Sequence, residues 1–104
     1  MALKMLGQAR PGAGVTATVY QVPVSMQAVG NIVICNTDIA VADQFILYLV
    51  PAAGSPGVAN AIYRGEIPAE ESFDVFGIAM TAGESIRMFS TGGKMTVTMT
   101  GNES

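Results

Sequence analysis

Eight carboxylates, one thiol and no imidazole are the inventory from which this 104-residue chain would have to build any reactive centre. With no histidine, neither a Ser-His-Asp nor a Cys-His nucleophile system can form, and the usual zinc ligand sets are ruled out as well. Catalysis would rest on Asp38, Asp43, Glu66, Glu70, Glu71, Asp74, Glu84 or Glu103, or on lysine or tyrosine. Glu70 and Glu71 are sequence neighbours, so in an extended segment they diverge and make a poor acid/base pair. No EF-hand or Gly-Asp repeat spacing supports a calcium site on Asp38, Asp43 or the Glu66 to Asp74 cluster. Gly12-Ala-Gly14 and Gly92-Gly93-Lys94 both precede strand-like segments, whereas a phosphate loop needs a strand before it and a helix after, so both read as turns. Cys35 lies in the most apolar segment and reads as a buried structural thiol. Neither a catalytic residue, a cofactor site nor a metal site is expected. Tyr20, Tyr48 and Tyr63, with Phe76 and the Glu66 to Asp74 carboxylates, are the residues from which a sugar-binding site would be drawn.

The segments that would position these groups read as strands throughout. Gly and Pro recur about every ten residues, and no window carries an unbroken helical stripe. Leu3 to Leu6, Val15 to Tyr20, Gln27 to Asn36, Asp43 to Val50, Ala59 to Arg64, Ser72 to Gly77, Ser85 to Thr91 and Lys94 to Thr100 alternate or are rich in β-branched residues. The expected fold is all-β: one domain over 1–104, an antiparallel β-sandwich, jelly-roll-like with about eight strands. Residues 1–14 are expected to form a flexible or partner-contacting segment. Gly92-Gly93 reads as a two-residue hairpin loop. In the last strand Met95, Val97 and Met99 belong on the core side and Thr96, Thr98 and Thr100 on the outside, with the methionines serving as adaptable core filler.

Charge is scarce at 12% of residues, against 50% apolar, and the net charge is −3. The five cations, Lys4, Arg10, Arg64, Arg87 and Lys94, are dispersed, which argues against direct nucleic-acid binding. The apolar run from Phe45 to Ala53 contains Pro51 and is too short to cross a bilayer as a helix, so no membrane partner is expected. The start of the chain lacks a signal-peptide layout, and a lone cysteine offers no disulfide framework, so a soluble protein made in a cytoplasm is expected.

Two stretches, Val29 to Asn36 and Asp43 to Val50, are apolar on both faces and read as a sequential antiparallel pair. Ile32 and Ile34 oppose Val33 and Cys35, and Phe45, Leu47 and Leu49 oppose Ile46, Tyr48 and Val50. One face would be covered by the chain's own second sheet, the other by a second copy or a partner. Ile32, Ile34, Phe45, Leu47, Tyr48 and Leu49 are the residues expected at such an oligomer or partner interface.

At Ile32-Val-Ile-Cys-Asn36, Leu47-Tyr-Leu-Val-Pro-Ala52, Ile67-Pro-Ala-Glu-Glu-Ser-Phe73 and Ala82-Gly-Glu-Ser-Ile-Arg87 the chain resembles a group of small tailed-bacteriophage virion proteins. Their pattern has a "VPAG" turn, an "IVVCN" strand, a "PAG" loop, an "IPANDTF"-type turn and an "AGDxIRV" hairpin. Gln21-Val-Pro-Val-Ser25 departs from it with Val24 where Ala-Gly is common. The resemblance implies a non-enzymatic capsid decoration or cement protein with a jelly-roll fold. It also implies a homotrimer on the phage head surface, with the major capsid protein or other virion proteins as partners. The alternative is a carbohydrate-binding or adhesion module of a phage tail or neck component.

Overall fold

The computed structural model describes residues 4–104, and within them the chain forms eight strands and one short 3-10 turn, Val58–Asn60. The strands are β1 (Lys4–Ala9), β2 (Val15–Gln21), β3 (Gln27–Asn36), β4 (Asp43–Val50), β5 (Ala61–Ile67), β6 (Ser72–Thr81), β7 (Ser85–Ser90) and β8 (Met95–Glu103). They build two antiparallel four-stranded sheets, sheet A in the order β1-β8-β3-β6 and sheet B in the order β2-β7-β4-β5. The chain behaves as one long hairpin folded at β4–β5 and then wrapped: β3 meets β6, β2 meets β7 and β1 meets β8. That is the jelly-roll arrangement, in which two sheets share eight strands and shield each other's inner faces.

One consequence corrects the expected β3–β4 pair. The strands that flank residues 37–42 lie in opposite sheets, and only the β4–β5 connection stays within one sheet. Asn36 braces the crossing. Its side-chain amide donates to the Val41 and Ile67 carbonyls at 3.0 and 2.9 Å, and its Oδ1 accepts from the Asp38 N–H, so the connection folds over the end of the sandwich. The same holds for Gly92-Gly93, which is a bridge from sheet B to sheet A and not a hairpin loop. Of the two glycines only Gly93 has a positive φ, +70°.

Alternation sends Ala28, Gly30, Ile32, Ile34 and Asn36 inward from β3 and Met95, Val97 and Met99 inward from β8. Phe45 and Leu47 of β4, Ile86 and Met88 of β7 and Val19 and Tyr20 of β2 answer them from sheet B. Met80, Met88, Met95 and Met99 are buried, as expected of core filler, whereas Met26 is partly buried and Met5 is exposed. The two sheets close unequally. At the β1/β2 edge their backbones touch, and a Cβ on Gly7 would sit 2.0 Å from the Val19 carbonyl oxygen, so this position accepts no side chain. At the β5/β6 edge the gap is filled by rings, Phe73 lying 5.5 Å from Phe45 and 5.3 Å from Tyr63 between centroids.

β6 departs from simple alternation. Gly30 pairs with Ile78 and Ile32 with Val75, so Phe76 and Gly77 together face Asn31, a β-bulge. Gly77 takes φ +72° there and donates its N–H to Asn31 Oδ1 at 2.9 Å. The extra residue restores the inward phase for Ile78 and Met80 while leaving Phe76 outside. Of the expected first strand, Leu3 lies outside the described residues; Lys4–Ala9 pairs along β8 as the edge of sheet A.

Candidate functional site

Three carboxylates, Asp38, Asp43 and Glu103, are built into the ends of the sandwich. Asp43, at the start of β4, is buried and its carboxylate accepts four hydrogen bonds. Oδ1 takes the Gln44 and Gly92 N–H groups at 2.8 and 2.7 Å, and Oδ2 takes the Ser90 hydroxyl and the Lys94 N–H at 2.7 and 3.0 Å. Burial alone would push this carboxyl up, but the Ser90 hydroxyl and the three N–H groups outweigh it and hold it below the usual aspartate range. Asp38 Oδ1 accepts the Ala40 and Val41 N–H groups, which depress its pKa, and its Oδ2 faces Lys94 Nζ at 3.5 Å. Arg10 reaches the same end, donating to Thr37 Oγ1 at 2.9 Å.

The opposite end is tied by Glu103, which sits between the sheets. The Tyr20 hydroxyl donates to its Oε2, and Lys4 Nζ lies 2.6 Å from its Oε1. Lys4, and after it the Tyr20 hydroxyl, holds the Glu103 carboxyl below its ordinary value, while burial and then that carboxylate push the Tyr20 hydroxyl well above its own.

The remaining carboxylates are scattered. Glu70 and Glu71 occupy the β5–β6 turn, Glu66 the outer face of sheet B and Asp74 the outer face of sheet A. Glu84 accepts the Thr81 N–H and hydroxyl. No three carboxylate or thiol groups among the described residues come close enough to hold a metal ion. The tyrosines also separate: Tyr20 is in the core, Tyr63 fills the gap beside Phe73 and Tyr48 projects from the outer face of sheet B. They do not form one site.

What remains is surface. Of the residues expected at an interface, Ile32, Ile34, Phe45 and Leu47 are buried between the chain's own sheets, and Leu49 packs against them. The two stretches face each other across the core, so their apolar sides largely satisfy one another. Only Tyr48 of the six points outward, half-buried. Exposed apolar side chains occur in several places: Val24, Ile39, Val41 and Val58 lie in connections, Val15, Ile62 and Tyr63 on strands of sheet B, and on the outer face of sheet A Val29 is 52%, Val33 43% and Phe76 71% exposed.

Register places them in rows across that face. Gln8, Thr98, Val33 and Asp74 form one row; Met5, Thr100 and Asn31 the next, beside Phe76; Asn102, Val29 and Ala79 a third; and Thr96, Cys35 and Ser72 a fourth. Asp74 is the charged residue among them. Cys35 belongs to this face and is half-exposed, which corrects the expectation of a buried thiol: β3 alternation turns it outward, opposite Ile34. Val29 and Val33 share the parity of Cys35, and Phe76 that of Ser72 and Asp74, so alternation already grouped them; which parity faced water depended on the sheet assignment.

No family model matches the chain, and no curated protein matches it in sequence.

Proposed function

We propose that this chain is a non-enzymatic structural protein of a tailed-phage virion, a capsid-decorating homotrimer that meets its neighbours through the outer face of sheet A. The observation that carries the reading is that face itself. Val29, Val33 and Phe76 stand exposed among threonines, asparagines and glutamine, with Asp74 the charge in their rows. A solvent-facing sheet surface ordinarily carries lysines and glutamates, and depletion of charge around aromatic and aliphatic side chains is the composition of an interface core. The jelly roll is also the fold that the resemblance to virion proteins implies. Carboxylates tied down by N–H, hydroxyl and ammonium donors at both ends support a scaffold role over a catalytic one.

Light scattering on the purified chain at micromolar concentration tests assembly. A trimer that Phe76→Asp converts to a folded monomer is expected, with Cys35 reacting faster with maleimide in the variant than in the assembled protein. A strict monomer overturns the trimer. Adding the protein to phage heads lacking it is expected to raise their resistance to heat and osmotic shock, and no gain overturns the capsid assignment.

A further inference from the structure

The outer face of sheet B has a different character. Ile46 pairs with Phe89 on one side and Arg64 on the other, and Gln44 pairs with Glu66, so these five side chains stand together on adjacent rows. β7 ends at Ser90, and beyond it Thr91 turns away after donating its N–H to the Gln44 carbonyl. The row of Gln44 and Glu66 therefore lacks a β7 strand neighbour. The result is an open depression of about 570 Å³ with Ile46 and Phe89 as its apolar part and Gln44, Arg64, Glu66 and Thr91 as its polar part. That volume is within the range of small-molecule sites.

Its polar groups are uncommitted. Among the described residues neither Arg64 nor Glu66 forms an ion pair, and the side chains of Gln44, Arg64 and Glu66 make no hydrogen bond to another protein group. This contrasts with Lys4, Lys94, Asp38, Asp43 and Glu103, whose charges are all matched within the fold. One guanidinium and one carboxylate leave the depression with no net charge, which disfavours an anion or a cation. A neutral molecule that offers donors and acceptors together, and has an apolar face for a ring, complements it. Vicinal hydroxyls can accept from the forked guanidinium and donate to the carboxylate, and the C–H face of a pyranose can rest on Phe89.

We propose that the outer face of sheet B is a binding site for neutral saccharide units, formed by Gln44, Ile46, Arg64, Glu66 and Phe89. This goes beyond an assembly role and does not depend on it, because the site lies on the sheet opposite the charge-poor face and draws on no tyrosine.

The test is a microarray of neutral glucose, galactose and N-acetylglucosamine oligosaccharides, with sulfated and sialylated glycans alongside, probed with the full chain and followed by titration of the best binder against ¹⁵N-labelled protein. Binding to neutral sugars is expected, with amide shifts centred on Gln44, Ile46, Arg64, Glu66 and Phe89. Arg64→Ala and Glu66→Gln should each weaken it by about tenfold or more, since each removes charge-assisted hydrogen bonds. Both residues are exposed on an edge strand, so amide spectra of the variants should otherwise match the parent. Asp74→Asn, on the other sheet, should leave binding unchanged. The proposal is overturned if no neutral sugar binds at about 10 mM, a concentration that still detects the weakest specific sites. Selective binding of sulfated or sialylated glycans, or binding that survives both substitutions, overturns it as well.

Discussion

Replacing Asp43 with alanine should be among the most damaging single changes on the polar side of the fold. The carboxylate accepts from Gln44, Gly92 and Lys94 N–H groups and from the Ser90 hydroxyl, so it joins the start of β4 to the whole bridge between β7 and β8. Hydrogen bonds to a charged acceptor contribute about 1.5–3 kcal/mol each, which would give at least ~6 kcal/mol if they were independent and fully dry. They are neither. Gly92 and Lys94 are exposed residues whose N–H groups can turn to water, whereas Ser90 is fully buried and loses its acceptor outright. Halving the sum gives a loss of about 3 kcal/mol, which for a domain of this size lowers the Tm by roughly 12–20 °C.

Asp43→Asn keeps one acceptor but aims an NH₂ group at N–H donors, so it should recover little. The pH dependence supplies a second readout. The Asp43 carboxyl lies below its unfolded value of 3.8 in the folded protein, so folding favours the ionised form. Its stabilisation is complete above that value and is lost as pH falls through the lower folded one. Urea titrations followed by circular dichroism between pH 7 and pH 2 should show wild-type stability falling at the acid end, and Asp43→Asn should flatten part of that fall. A loss below about 1 kcal/mol, together with an acid limb parallel to wild type, would refute the assignment of Asp43 as the clamp of this end.

Tyr20→Phe should remove an alkaline transition: the folded hydroxyl is raised above its unfolded value of 10.0, so its contribution is present below that pH and lost as pH rises through the folded value, and a difference titration of the two proteins by circular dichroism checks it. Gly7→Ala should cost more than 2 kcal/mol, because the new methyl meets the Val19 carbonyl oxygen and no flexible side chain can yield; a urea midpoint within error of wild type would contradict the close sheet contact. Leu47→Asp, which places a charge among fully buried neighbours, should abolish folding, whereas Tyr48→Asp, on the outer face, should stay folded with a Tm within a few degrees, as judged by amide spectra and melting curves.

The features legible in the sequence are those set by nearest neighbours. The β8 alternation of Met95, Val97 and Met99 against threonines needs only the two-residue period of a strand, and the Arg10 to Gly14 and Pro51 to Gly57 loops need only local turn chemistry. Pairing was not legible, because in this topology almost every connection changes sheets and a strand's partners lie far away in sequence: β1 meets β8 across the whole chain. For that reason β3 and β4, close in sequence and both apolar, look like partners in the sequence and are opposing walls in the fold. The Phe76–Gly77 bulge was hidden for a related reason. It reverses the phase of β6 opposite Asn31 on β3, whose side chain accepts the Gly77 N–H, and nothing within residues 72–81 encodes that partner. Asn36 and Asp43, the two side chains that hold the loop end together, could be suspected from the sequence only as turn formers.

The placement of charge connects the scaffold to its surfaces. Lys4, Asp38, Asp43, Lys94 and Glu103 all bind within the fold, most of them where a loop or strand end must be fixed. In a chain with only 12% charged residues this leaves few charges to solvate the broad faces, and they are unevenly divided. Sheet B keeps Arg64, Glu66 and Arg87 on its outer side, whereas the rows of sheet A keep Asp74 beside Val29, Val33 and Phe76. A monomer that needed only to stay dispersed would gain by distributing charge over both sheets, since patches of exposed apolar side chains promote association. Under the proposed assembly role this division would let sheet A lie against protein while the charged groups of sheet B stay in water and meet a polar ligand. Substituting charge on sheet A should therefore affect assembly without weakening the site on sheet B, and substituting Arg64 or Glu66 should do the reverse.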